Sequence, residues 1–395
     1  MKISPLNISR RAAIWAASAA ALSPLAVDEL QAAQVPAAPK EGKGTPKLAV
    51  GMEYGGPITG DRAAAARRIK QIGVDHVLSG GPQVLPWTTE SLAGVMAPWK
   101  AAGVQVSNLM INVSSDIIYA KPGKKRDEDI EKIKQSIVAA GASGLPVVEY
   151  NFYAHRAMEG YFLEIDEARG GSGWTGFDYD LTQTAAQQYQ TRAEEKGMKF
   201  RDLPPLPNEG AHKLGEIWAN ITYFLKAVVP TAEKANVRLA LHPNDPPSPI
   251  SRGSEQIMGS LAGWKKLISL VDSPSNGITF DCGVTREMGE DPVEVCRYFA
   301  SRDRINHVHF RNVQVIKPYE RYREVWIDEG ENNMFAIMKE LVKNKYSHLI
   351  YPEHPRRLDY DVEHGPIPGY PGAGGYAAIS YNVGYARAML QAAMS

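Results

Sequence analysis

A chain of 395 residues is too long for a minimal domain and fits either two ordinary domains or one large α/β barrel. Its 44 basic and 44 acidic side chains cancel, leaving none of the cationic excess that counterion release on nucleic acid exploits, so no nucleic-acid partner is expected. The 44% apolar content supplies a large core, and the only two cysteines, Cys282 and Cys296, exclude a disulfide framework and a cysteine-rich metal site alike.

The first forty residues stand apart. Ser9-Arg10-Arg11 precedes an alanine-heavy, weakly apolar run over residues 12–26, and Ala32-Ala33 then offers small residues for a signal peptidase ahead of a proline-bearing lead. This pattern predicts a signal peptide and flexible lead over residues 1–40, with export to the periplasm by the twin-arginine route, which carries folded proteins. Ala-Ile follows the arginines where Phe-Leu is frequent in such signals. A disordered arm or a simple anchor is the competing reading, and the run is short for a bilayer, so no stable membrane span is expected.

From Lys47 onward, short β-like runs alternate with longer helical ones. The runs cover residues 48–54, 76–79, 104–110, 146–152, 237–242, 277–281, 305–310 and 348–353. Helix-patterned segments, among them residues 62–72, 127–140, 214–235 and 333–343, lie between them. Eight such units predict a single TIM (β/α)8 barrel over residues 45–395. A doubly wound open sheet is the alternative, but no Gly-x-Gly-x-x-Gly follows the first run and no Walker loop occurs, so nucleotide cofactors have no support. Residues 154–212 are too long for a βα loop and read as a helical or irregular insertion after the fourth strand, over the barrel mouth.

Chemistry in such a barrel sits at the C-terminal strand ends. Four consecutive runs end in ligand-type residues: His242-Pro243-Asn244-Asp245, Asp281-Cys282-Gly283, His309-Phe310-Arg311-Asn312 and Glu353-His354. Each alone reads as a satisfied histidine or a salt-bridged acid. Together, His242, Asp281, His309 and Glu353 form a set of two imidazoles and two carboxylates suited to Mn²⁺, with Fe²⁺, Co²⁺ or Zn²⁺ as alternatives. Strand parity puts His307, His309 and Arg311 on one face, Val308 and Phe310 on the other, and allows only one of Asp281 and Cys282 to face the lumen. Asp281 is the expected ligand. Cys296, on a helical segment, is expected to be an inert core thiol.

These residues resemble the mannonate dehydratases of the xylose-isomerase-like TIM barrels from about Val104 to the C-terminus. The resemblance rests on Val147-Val148-Glu149-Tyr150-Asn151-Phe152, Arg169-Gly170-Gly171-Ser172, His242-Pro243-Asn244-Asp245-Pro246-Pro247, Asn276-Gly277-Ile278-Thr279 and His309-Phe310-Arg311-Asn312-Val313. It implies that the family's metal ligands fall on His242 and His309, with its cysteine and aspartate replaced here by Asp281 and Glu353. It further implies loss of water from an aldonic acid, a small-molecule sugar acid such as D-mannonate. His354 is then the proton-transfer candidate, Arg311 the partner for the substrate carboxylate, and Tyr376 or Tyr370 the acid for the departing hydroxyl, since the family's tyrosine falls in register on Ala373. The two ligand replacements leave open an exported metal-dependent sugar isomerase or epimerase, and a non-catalytic carbohydrate-binding barrel is a third reading. The insertion caps its own site or that of a neighbour in a homo-oligomer.

Overall fold

The computed structural model describes residues 37–57, 60–120, 122–164, 168–184, 191–365 and 372–395. Ser9, Arg10, Arg11 and the alanine-heavy run therefore lie outside the described residues, as does Tyr370. The barrel belongs to the compact unit Pro39–Ser395. No helix among the described residues is long and apolar enough to cross a membrane.

Fourteen strands are described: β1 Lys47–Gly51, β2 His76–Gly80, β3 Gln105–Ile111, β4 Val147–Tyr150, β5 Tyr161–Glu164, β6 Trp174–Asp178, β7 Arg238–Leu241, β8 Ile250–Ser251, β9 Ser254–Glu255, β10 Asn276–Asp281, β11 Ile305–His309, β12 Val313–Lys317, β13 Arg321–Glu324 and β14 Leu349–Tyr351. Eight of them close a barrel in the order β1-β14-β11-β10-β7-β4-β3-β2, every pair parallel. These are the eight runs expected from the sequence. Both faces of the sheet are covered, so β4, β10 and β11 are buried at every position, including their polar residues Glu149, Asp281, His307 and His309. The last run stops at Tyr351, since Pro352 has no N–H to continue the ladder.

The helices follow the same logic. Leu214–Ala235 buries the stripe Ile217, Ile221, Phe224, Leu225, Val228, Val229 and Ala232, and ends where Asn236 turns left-handed at φ 54°. Pro292–Ala300 starts with Asp291, whose side chain accepts from the Val293 N–H, and with proline at its first turn. Cys296 on that helix is fully buried, and burial pushes its thiol pKa up, the state of an inert core residue.

The insertion differs from expectation. Besides short 3-10 turns such as Met158–Gly160 and Phe200–Asp202, its described residues contribute β5 and β6, which join the β12–β13 hairpin in a four-stranded antiparallel sheet of order β12-β13-β6-β5. Both contributing segments leave C-terminal ends of barrel strands, β4 and β11, so the sheet roofs the end where the chemistry lies. A second small core of Met158, Tyr161, Phe177, Tyr179, Phe200, Leu203 and Tyr322 holds it together.

Candidate active site

The strands β4, β7, β10, β11 and β14 are neighbours in the barrel, and each delivers one ligand-type side chain at or just past its C-terminal end: Glu149, His242, Asp281, His309 and Glu353. Asp281 and His309 stand directly opposite each other in register. His309 Nδ1 lies 2.9 Å from Glu353 Oε1 and 3.7 Å from Asp281 Oδ2, and His309 Nε2 lies 3.7 Å from Glu149 Oε1. The His242 and His309 rings are 4.9 Å apart. Two groups thus share His309: Asp281, His309 and Glu353 on one side, and Glu149, His242 and His309 on the other, each with ligand atoms within 4.8 Å of one another. The structure brings the four expected residues together around His309 and adds Glu149. A single carboxylate in the apolar run Val147-Val148-Glu149-Tyr150 was the signal for it.

These side chains fit a divalent cation. His309 Nδ1 and Glu353 Oε1 are both buried and close, yet neither has a hydrogen-bond partner, which is how two ligands aimed at a shared ion stand. His242 Nδ1 lies 2.7 Å from the Pro243 carbonyl oxygen, which can only accept, so Nδ1 carries the proton and the Nε2 lone pair is free. Burial, then the neighbouring His309, lower the His242 pKa, so the ring stays neutral as a ligand must. Glu149 is held by Asn108 Nδ2 at 2.8 Å and Thr279 Oγ1 at 2.7 Å. Burial alone would raise its pKa, but the imidazoles of His307, His309 and His242 outweigh this and bring it to about 2.

Parity is as read. Asp281 Oδ1 accepts from the Val284 N–H at 2.8 Å, capping the helix Cys282–Glu287, while Oδ2 faces His309. Cys282 is fully buried in the apolar core. His307 shares the lumenal face with His309, ring to ring at 4.9 Å. Both its nitrogens lack a hydrogen-bond partner, and burial pushes its pKa down to about 4.

Arg311 is corrected. It is 2% exposed and saturated with carboxylates: Nη1 donates to Glu287 Oε1 at 2.6 Å, Nε to Asp281 Oδ2 at 3.1 Å, and Glu353 Oε1 and Asp245 Oδ2 follow at 3.3 and 3.4 Å. A guanidinium so enclosed, with Nε and Nη1 already donating to Asp281 and Glu287, orients the acids of the centre. Tyr376 is corrected as well: at the start of the helix Tyr376–Met394, its phenol is engaged by the Arg68 carbonyl, to which it donates at 2.8 Å. His354 does belong to the site. Its Nδ1 is 3.0 Å from Glu324 Oε2 and its Nε2 3.6 Å from Glu353 Oε2. Burial opposes its protonation, but the Glu324 and Glu353 charges prevail and raise its pKa. Glu324 comes from β13 in the roof and is gripped from behind by Arg356 Nη2 at 3.0 Å. Asp245, Glu324 and His354 form a third close group.

An eight-stranded parallel barrel whose strand ends gather imidazoles and carboxylates around His309 defines a TIM barrel with a candidate metal centre. Residues 59–395 match the family model of D-mannonate dehydratase (UxuA), and the chain belongs to that family. It is 31% identical to the mannonate dehydratase of Streptococcus equi subsp. zooepidemicus over 290 residues, covering 72% of this chain and 78% of that one. The mannonate dehydratase of Thermotoga petrophila is 27% identical over 288 residues, covering 69% and 79%. The crystal structure of mannonate dehydratase from Streptococcus suis serotype 2 superposes with a TM-score of 0.69 at 27% identity, over 88% of this chain and 95% of that one. L-ribulose 3-epimerase, at a TM-score of 0.52 and 13% identity, shares the fold. Isomerase or epimerase and non-catalytic readings are not favoured by these matches. The family is a metal-dependent hydro-lyase family, and the described residues include groups that could hold a metal ion.

Proposed function

We propose that the chain removes water from D-mannonate to give 2-dehydro-3-deoxy-D-gluconate. The observation that carries this is the family match over residues 59–395 together with the convergence of His242, Asp281 and Glu353 on His309. These four would hold the metal, with Glu149 beside them. Mn²⁺ fits the mixture of imidazole and hard oxygen donors, from which the thiol of Cys282 is turned away. When bound, the ion supplies Lewis-acid stabilisation for the charge that develops as the weakly acidic C2 proton leaves.

The remaining work falls to the protein. The C2–H bond breaks, its electron pair forms C2=C3, the C3–O bond breaks, and the hydroxyl departs with a proton as water; the enol then takes a proton at C3 and becomes the 2-ketone. His354 is the group positioned to move these protons, oriented through Nδ1 by Glu324 with Nε2 on the Glu353 side. Arg311 keeps Asp281 and Glu353 ionised and in place, and the roof sheet limits water around the reacting carbons. The test is incubation of Mn²⁺-loaded protein with D-mannonate and detection of the 2-keto-3-deoxy acid, with His354→Asn as the control. A metal-loaded wild type that leaves D-mannonate unchanged overturns the reading. We extend the proposal to location: Arg10-Arg11 and the run that follows support export through the twin-arginine route, so that the centre loads before transport.

A further inference from the structure

A sugar acid brings a carboxylate, and Arg311, the cation expected to meet it, is consumed by the acids of the centre. The loop between β4 and β5 carries another arginine. Within residues 151–161 Arg156 is the one exposed residue, and His155 and residues 157–161 are all buried. The flanks are fixed by polar bonds: His155 Nδ1 meets Ser251 Oγ at 2.7 Å, Arg252 Nε donates to Glu159 Oε1 at 2.6 Å, and the Tyr161 hydroxyl donates to Asp245 Oδ1 at 2.6 Å. Arg252 in turn holds Glu195 through Nη2 at 2.8 Å, so the loop is clamped from both sides by buried charge.

Arg156 itself is directed toward the centre. Its Nε donates to the Asp245 backbone carbonyl at 3.1 Å, and the Asp245 side chain belongs to the close group with Glu324 and His354. Its two terminal nitrogens make no hydrogen bond or ion pair with any described residue, which leaves a fork of N–H donors beside Asp245.

Resting on the dehydratase reading, we propose that Arg156 receives the carboxylate of the sugar acid and sets the preference for acids over neutral polyols. Nε fixes the side chain to the Asp245 carbonyl, and the free terminal nitrogens meet the carboxylate oxygens. The buried network through Arg252 and Glu159 holds the loop in position, so that little ordering remains to be done when substrate arrives.

The experiment compares wild type, Arg156→Gln and Arg156→Lys as Mn²⁺-loaded full chains. Calorimetric binding of D-mannonate and of neutral D-mannitol is measured alongside steady-state kinetics and metal content. Loss of a charge-assisted pair is expected to raise the D-mannonate Kd and KM by roughly 10- to 150-fold in Arg156→Gln, with a smaller effect in Arg156→Lys. D-mannitol binding, metal content and melting temperature are expected to stay as in the wild type. Unchanged D-mannonate affinity in Arg156→Gln, or equal losses for acid and polyol, overturns the assignment. Wild type that binds D-mannonate through Arg156 without turning it over defeats the dehydratase reading and leaves the assignment standing; wild type that does not bind D-mannonate defeats both.

Discussion

Replacing Arg311 by methionine keeps much of the side chain's volume and removes its charge. Four carboxylates, Asp245, Asp281, Glu287 and Glu353, lie within 2.6 to 3.4 Å of the guanidinium, which is 2% exposed. Removing one partner from a buried ion pair costs about 3–5 kcal/mol, because the charge left behind has neither water nor a counterion. Taking about 4 kcal/mol, and a melting-temperature change of about 2–4 °C per kcal/mol for chains of this size or somewhat smaller, metal-free Arg311→Met is expected to melt about 10 °C below wild type. The acids that lose the guanidinium include two proposed metal ligands, so a divalent ion should compensate: in saturating Mn²⁺ the gap narrows, since binding to the folded state adds stability by mass action. The assay is thermal denaturation by circular dichroism, in EDTA and in Mn²⁺. Equal melting temperatures for the two metal-free proteins, or a gap that widens with Mn²⁺, would refute the view of Arg311 as counterion to the centre.

Asp281→Asn is expected to lose stoichiometric metal while Cys282→Ala keeps it, read by elemental analysis of purified protein; the reverse result would return the ligand role to the thiol. Glu195 has its pKa lowered to about 2 by hydrogen bonds from Arg252, against burial, from an ordinary 4.5. A depressed folded value means that the stabilisation is complete above pH 4.5 and fades as pH falls toward 2. Hydrogen exchange of residues 154–164 and 191–212 should therefore quicken, after correction for intrinsic rates, between pH 5 and pH 2.5, and pH-independent protection would exclude the pair as the clamp. Changing Arg10 and Arg11 together to lysine is expected to leave folded, metal-loaded protein in the cytoplasm, and undiminished export in cell fractionation would remove the twin-arginine assignment.

The barrel was legible because eight short β-like runs alternate with helix-patterned segments, and the candidate ligands because His242, Asp281, His309 and Glu353 fall at or just past the ends of β7, β10, β11 and β14. The roof was not. Its strands have partners far away in the chain: Tyr322 pairs with Phe177, and in isolation Arg321-Tyr322-Arg323-Glu324 reads as solvated loop. The roles of Arg311 and Tyr376 were misread for a related reason. Sequence gives a side chain's face, but not how many acids converge on it, nor that a phenol finds the Arg68 carbonyl first. Glu149 was overlooked although a lone acid inside an apolar strand is costly enough to require an explanation.

The roof sheet also constrains how this barrel can change. TIM barrels commonly diversify loop by loop, each βα connection being replaceable while the frame persists. Here the connections after β4 and β11 share one sheet, with Thr175 opposite Glu324 and Asp178 opposite Arg321. Neither can be lengthened, shortened or exchanged alone without unpairing the other, and Glu324, which orients His354, rides on the seam. The two connections therefore form one structural unit, and changes of substrate range that keep this sheet are expected to fall on side chains such as Arg156 that project from its supports.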